Sequence, residues 1–321
     1  MSPAAKNWRT AAVPLLPYLL VALLAFAAIV APVDRRLAME IMIVLAMAQG
    51  WNLLCGYTGL LSFGHHAFIG LGAYVLYVTV NATGMSPFPV IVLSAVAATL
   101  VAFVMWLLLR HLRGPYFSIG IWVLADSLRL LFAQWDFVGS SRGIVLNAMT
   151  INPATFADAL FYSALGLACI TLAGTFALLR SRIGLALMAI RDNESGAASV
   201  GIAVSRNQMA AFLISAAICG AGGGLYYLSV LYVDPSGAFD INWQIRLLFI
   251  VIVGGVGTIE GPLIGTLLYF GLREIFRDAG DVFLIVQGAT AIVVMLFAPG
   301  GIWGLVHARL GWSLFPIRRL A

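Results

Sequence analysis

Residues 85–109 carry no charged side chain, and neither do residues 14–31. A helix needs about 20 apolar residues to cross a hydrocarbon core, so each run is long enough to span one. Only 10% of the 321 residues are charged, whereas 62% are hydrophobic. A soluble domain carries about 25% charge, so this composition excludes one. The runs show no alternation of period two, which also excludes an outer-membrane barrel. The class expected is an all-α polytopic membrane protein, a single transmembrane domain over residues 1–321. Ten apolar segments stand out: 14–32, 37–55, 66–80, 87–109, 115–134, 157–179, 208–231, 245–258, 262–276 and 281–298. The eighth and ninth are short and are separated by "EGP" after a glycine cluster, so they read as two short helices or one bent element.

Basic residues orient the chain. With a cytoplasmic N-terminus, eleven of the 18 lysines and arginines fall in inner segments and five in outer ones, in line with the positive-inside rule. An even number of spans, about ten, puts both termini in the cytoplasm. Tryptophans such as Trp51, Trp106 and Trp135 fall near span ends, as an aromatic belt requires. The three cysteines, Cys55, Cys169 and Cys219, lie in apolar segments without CxxC spacing. They indicate neither a metal site nor a disulfide framework.

Two connections exceed 20 residues: the outer 135–156 and the inner 180–208. The inner one reads "RSRIGLALMAIRDNESGAASVGIAVSRNQ". Asn193 can cap a helix, Glu194 then faces the positive end of its dipole, and Gly201 suits the left-handed position that ends it. Between them lie about two turns presenting Ala197, Ala198 and Val200. A helix this short is marginal alone and needs a surface to dock on. From composition, the plainer reading is an amphipathic connector on the inner leaflet.

Polar chemistry also interrupts the spans. "GYTGLLSFGHHAFIGLGAY" (56–74) places Ser62, Gly64, His65 and His66 at membrane depth. Irregular backbone there must be satisfied by protein or by a water-filled cavity. The stretch therefore reads as a helix break lining or supporting a translocation pathway, with a packed hairpin holding satisfied histidines as the equal alternative. Asp126 and Arg129 are three apart on one helix face near mid-membrane. They form either a structural ion pair or a pathway contact. Arg246 begins the eighth segment. It either draws a substrate carboxylate or, as the better reading, snorkels to headgroups. Gly257, Gly261 and Gly265 recur every four residues, as close helix packing requires. Gly254, Gly255 and Gly257 before Gly261–Pro262 suggest a broken helix.

An intramembrane enzyme is disfavoured. The Ser62/His65 spacing is weak, and His65 and His66 point about 100° apart on a helix, which does not suit one metal. No catalytic residue and no metal site is expected. A stand-alone channel or secondary transporter is the remaining rival.

Several longer motifs, in order, resemble the permease subunits of branched-chain amino-acid ABC importers, the LivM type more than the LivH type. They are "WNLLCGYTGLLSFGHHAFIGLGAY" (51–74), "LRGPYFSIGIWVLADSLRLL" (112–131), "GGVGTIEGPLIGTLL" (254–268) and "LFAPGGIWGL" (296–305). Within 180–208, Arg191, Glu194, Ala197, Ala198 and Gly201 resemble that family's "EAA…G" coupling loop. The resemblance implies a type I importer in a bacterial inner membrane. Its partners would be a second, non-identical permease, two cytoplasmic ATPase subunits and an extracytoplasmic binding protein, with no nucleic acid. No cofactor is expected in this chain, because ATP and Mg would be held by the ATPase subunits. The residues agree: a P-loop needs a lysine, and the only lysine is Lys6. His66 stands where the family more often has a small residue, and Asp126 where it often carries Glu in Glu-x-x-Arg. In "DFVGSSRGI" (136–144) only Gly143 and Ile144 fit the family pattern. Branched-chain specificity therefore does not transfer directly, and urea, short amides or other small carboxylates stay open.

Overall fold

The computed structural model describes residues 35–146, 153–277, 280 and 282–310. The expected first segment, 14–32, lies outside them. Thirteen α-helices are formed among the described residues: α1 (Arg35–Thr58), α2 (His65–Thr83), α3 (Pro87–Leu109), α4 (Pro115–Gln134), α5 (Pro153–Leu179), α6 (Arg182–Asp192), α7 (Glu194–Ser199), α8 (Val204–Val230), α9 (Pro235–Ala238), α10 (Ile241–Gly254), α11 (Glu260–Ile275), α12 (Val282–Phe297) and α13 (Gly301–Leu310). The only strands among these residues, β1 (Ile144–Val145) and β2 (Tyr232–Val233), form a short antiparallel pair with Ile144 opposite Val233.

Among the described residues, seven helical stretches are long and apolar enough to cross a bilayer: Arg35–Thr58, Pro87–Leu109, Pro115–Gln134, Thr155–Leu179, Val204–Val230, Pro235–Gly254 and Val282–Arg309. The all-α polytopic class holds. Beyond these seven, the expected count of about ten would need α2, α11 and the segment outside the described residues. Helix α2 opens on two histidines and is 19 residues long. It runs through the protein core, against α3 and α8. Its neighbours therefore supply what its own hydropathy lacks.

Burial sorts the helices into layers. Helices α1, α2 and α8 form the centre, with α3, α5, α10 and α11 packed around them. Helix α12 buries only Gln287 among its described residues and exposes Ile285, Leu296 and Phe297. That is the surface expected of a helix facing lipid.

Small residues let the central helices approach closely. A methyl group at Gly72 would overlap the Gly220 carbonyl, and one at Gly223 would overlap the Ile69 carbonyl, so α2 and α8 cross almost backbone to backbone. The same occurs where α10 turns back into α11. Gly254 faces the Gly261 carbonyl, and Gly265 faces the Ile250 carbonyl. Segments eight and nine are thus two short helices in a tight hairpin, with Gly255 and Gly257 at positive φ in the turn.

Candidate functional site

The break between α1 and α2 enters the bundle. Trp51 lies seven residues before the end of α1, about 10 Å along its axis, and its Nε1 donates to the Ser62 carbonyl at 2.9 Å. The chain therefore leaves α1 at Thr58 and returns to the level of Trp51 before α2 starts. Buried irregular backbone must have its hydrogen bonds met locally, and several of them are met by nearby side chains. Thr58 Oγ1 accepts from Leu60 N, and Ser62 Oγ accepts from Gly64 N. Ser118 Oγ donates to the Leu61 carbonyl, and Gln244 Oε1 accepts from His65 N at 3.2 Å. Gly64 is required because a Cβ there would strike Ile121.

His65 has no solvent exposure. Its Nδ1 meets Ser62 Oγ at 2.8 Å, and its Nε2 meets Ser215 Oγ on α8 at 2.7 Å. A neutral imidazole donates at one nitrogen and accepts at the other, and either hydroxyl can take the complementary role. Phe68 and Phe212 stand edge-on to the ring. Thus Ser62 and His65 are joined, but they are enclosed with a third partner rather than open to a substrate. His65→Ala is expected to destabilise the protein by about 2 kcal/mol, since membrane hydrogen bonds are individually modest and a cavity is added. Thermal denaturation in mild detergent measures this, and an unchanged midpoint would remove the network from the stability of the fold.

His66 points elsewhere. It is buried, and its Nδ1 has no hydrogen-bond partner among the described residues. Asp126, Arg129 and Asp240 lie within its electrostatic reach. Arg129 Nε donates to Asp126 Oδ1 at 2.7 Å across one turn of α4, and both side chains are partly exposed. Three residues singled out by sequence, on α2 and α4, therefore lie within electrostatic reach of one another together with Asp240, which caps α10 by accepting from Asn242 N.

Arg246 packs against neighbouring helices. Its guanidinium lies 4.4 Å from the Trp243 ring and 5.4 Å from the Tyr269 ring. It faces Glu40 of α1 at 3.9 Å, with both side chains only 20% exposed. Arg273 grips the same carboxylate with two bonds of 2.6 and 2.8 Å. One glutamate thus ties both arms of the α10–α11 hairpin to α1.

The 180–208 connection folds as two helices. Ser181 caps α6 by accepting from Ile183 N and Gly184 N. Asn193 caps α7 by accepting from Gly196 N at 2.9 Å. Gly201, at φ 86°, ends α7, where Gly201 N donates to Ala198 O and Ile202 N to Ala197 O. Ala197 is buried, while Glu194, Ala198 and Val200 are exposed, Val200 by 76%. Arg191 Nη1 donates to the Gly56 carbonyl at 3.2 Å and lies against Gly257. Asn52 reinforces that junction: its Oδ1 accepts from Gly257 N and its Nδ2 donates to Thr258 O. The connection, the end of α1 and the glycine turn thus meet at one end of the bundle, opposite Glu40.

The profile of the branched-chain amino acid transport system permease component matches residues 35–298. The chain belongs to this family. Curated relatives include the high-affinity branched-chain amino acid transport system permease protein LivM of Escherichia coli, 24% identical over 84% of this chain and 69% of its own length. A probable branched-chain amino acid transport permease protein LivH of Methanocaldococcus jannaschii is 25% identical over 84% of this chain and 90% of its own. The high-affinity permease protein BraD of Pseudomonas aeruginosa is 26% identical over 80% and 90%. No solved structure matches the chain.

In this permease, the sequence reading missed the residues that complete each cluster. Ser215 and Gln244 close the His65 network, Asn52 holds the glycine turn, Glu40 binds the two arginines, and Asp240 joins His66. A lone carboxylate such as Glu40 in an apolar run is itself a signal that a cation faces it. Ser215, Asn52 and Gln244 give no such signal, because single uncharged polar residues are common in spans.

Proposed function

We propose that this chain is the transmembrane permease subunit of an ATP-driven importer for branched-chain amino acids or related small carboxylate or polar solutes. Separate ATPase subunits would engage the α6–α7 segment. The observation that carries this reading is the form of that segment in a chain of this family. It is a capped short helix with Glu194, Ala198 and Val200 exposed, and Arg191 fastens its base to the bundle. ATP supplied elsewhere can drive alternating access only if its binding energy differs between the two states of the permease. A segment exposed on one side, and on the other bonded to α1 and lying against the α10–α11 turn, would convey that difference. ATP and Mg would be bound by the ATPase subunits, an extracytoplasmic binding protein would deliver the solute, and a second, LivH-like permease would complete the pathway. His66, Asp126, Arg129 and Asp240 form the polar group proposed to border that pathway.

Glu194 supplies the test. Glu194→Gln removes the one acidic group in the first turn of α7. It is expected to lower uptake about tenfold, the scale of one charged contact at an interface. Ligand binding by the delivery protein should stay unchanged. Uptake that persists in cells lacking every co-purifying ATPase would overturn the proposal.

A further inference from the structure

We propose that the cleft between the end of α3 and the start of α8 holds the headgroup of an anionic phospholipid, gripped by Arg110 and Arg206. The cleft has a volume of about 440 Å³ and is lined by Trp106, Leu107, Arg110, Val204, Ser205 and Arg206, among others, with no acidic side chain among the described residues of its wall. Neither guanidinium makes a hydrogen bond or ion pair with any described residue. The cationic arginines of the other clusters behave differently: Arg129, Arg191, Arg246 and Arg273 all face a carboxylate. Two unpaired guanidinium groups lining one cleft, one from each helix, are a site for a phosphate, which accepts from them in forked geometry. Helix α8 also begins at this cleft without a side-chain cap, leaving its first backbone N–H groups unclaimed by side chains.

The surroundings select a lipid rather than a soluble anion. Helix α3 leads into the cleft along an exposed apolar face: Leu100, Phe103, Val104, Leu107 and Leu108. A charged cleft at the end of a lipid-facing apolar helix matches an amphiphile in both parts, with acyl chains along α3 and the phosphate between the arginines. Basic clefts between membrane helices are known anchors for such headgroups. A smaller cavity of about 140 Å³ adjoins it, where Arg110 and Arg113 line the same space as Glu194. A bound lipid would therefore lie in the leaflet on the side of the α6–α7 segment, directly against its base.

The test uses the full-length permease with whatever subunits co-purify, in mild detergent, read by native mass spectrometry. Dioleoylphosphatidylglycerol, the phosphatidylcholine with the same chains, or inorganic phosphate is added. The wild-type protein should retain phosphatidylglycerol in preference to phosphatidylcholine and should bind no phosphate alone. R110Q/R206Q should reduce that retention about tenfold to thirtyfold, R110K/R206K should restore most of it, and R180Q/R182Q should leave it unchanged. Because both arginines are exposed and unpaired, the glutamine variant should keep the wild-type melting temperature. Equal retention by wild type and R110Q/R206Q would overturn the proposal. So would phosphate binding as tightly as the lipid, or R110Q/R206Q losing a co-purifying protein subunit while keeping its lipid.

Discussion

Gly201→Val should abolish uptake while leaving the bundle folded. Gly201 sits at φ 86°, where its N–H and that of Ile202 close α7. A β-branched residue is a strong outlier at positive φ, and holding it there costs about 1–3 kcal/mol. Helix α7 has six residues, held by the Asn193 cap and by the burial of Ala197. A helix of that length has little stability to lose, so the strain unwinds it instead of being absorbed. The surface formed by Glu194, Ala198 and Val200 is then lost. No atom of the described residues within 4 Å of Gly201 would meet the added carbon, so the bundle is not disturbed. Gly201→Asn should fall between, because asparagine tolerates the left-handed region. The pair of measurements is solute uptake in proteoliposomes and the melting temperature in detergent. Normal uptake by Gly201→Val would remove α7 from energy coupling.

Gly265→Leu should do the reverse and unfold the hairpin. At Gly265 the obstacle is the Ile250 carbonyl of α10, and no side-chain rotamer can move a backbone atom aside. Overpacking a core costs about 1–3 kcal/mol when side chains can adjust. Here the two helices must separate, breaking the neighbouring approach of Gly254 to Gly261 as well, and the expected cost is above about 4 kcal/mol. Gly271→Leu on the same helix is the control, because no atom lies within 4 Å of its added carbon. Folded yield and melting temperature should collapse for the first variant and hold for the second. Equal melting temperatures would show that α10 and α11 are not packed as described.

What could be read in the sequence was local. The limits of α3 follow from an uncharged run that starts with proline and ends at a polar turn, and α4 likewise opens on a proline. Asn193 and Gly201 announce their roles because a cap and a left-handed stop need particular residue types. The α10–α11 break is visible because only glycine permits two helices to touch as these do. What could not be read was partnership across the chain. His65 and Ser215 are separated by 150 positions, and Asn52 and Thr258 by 206. Such pairs are set by how helices cross, which hydropathy and periodicity do not encode. Arg246 shows the same limit: at the end of an apolar segment it looks free to reach headgroups, until α1 brings Glu40 beside it. The histidines of 56–74 were ambiguous for a related reason. Only the neighbouring helices separate His65, with both ring nitrogens bonded, from His66, with its Nδ1 unbonded.

The placement of α2 has a consequence for the order of assembly. A bilayer takes up apolar helices one at a time as they leave the ribosome, but α2 carries two histidines and needs its polar groups met before it can rest at membrane depth. Thr58, Trp51 and Ser62 are already synthesised when His65 emerges, and they satisfy the break. Ser118 follows on α4. Ser215 and Gln244, which close the His65 ring and backbone bonds, arrive about 150 and 180 residues later. The hydrogen-bonding partners of the central helix are therefore complete only once α8 and α10 have been made.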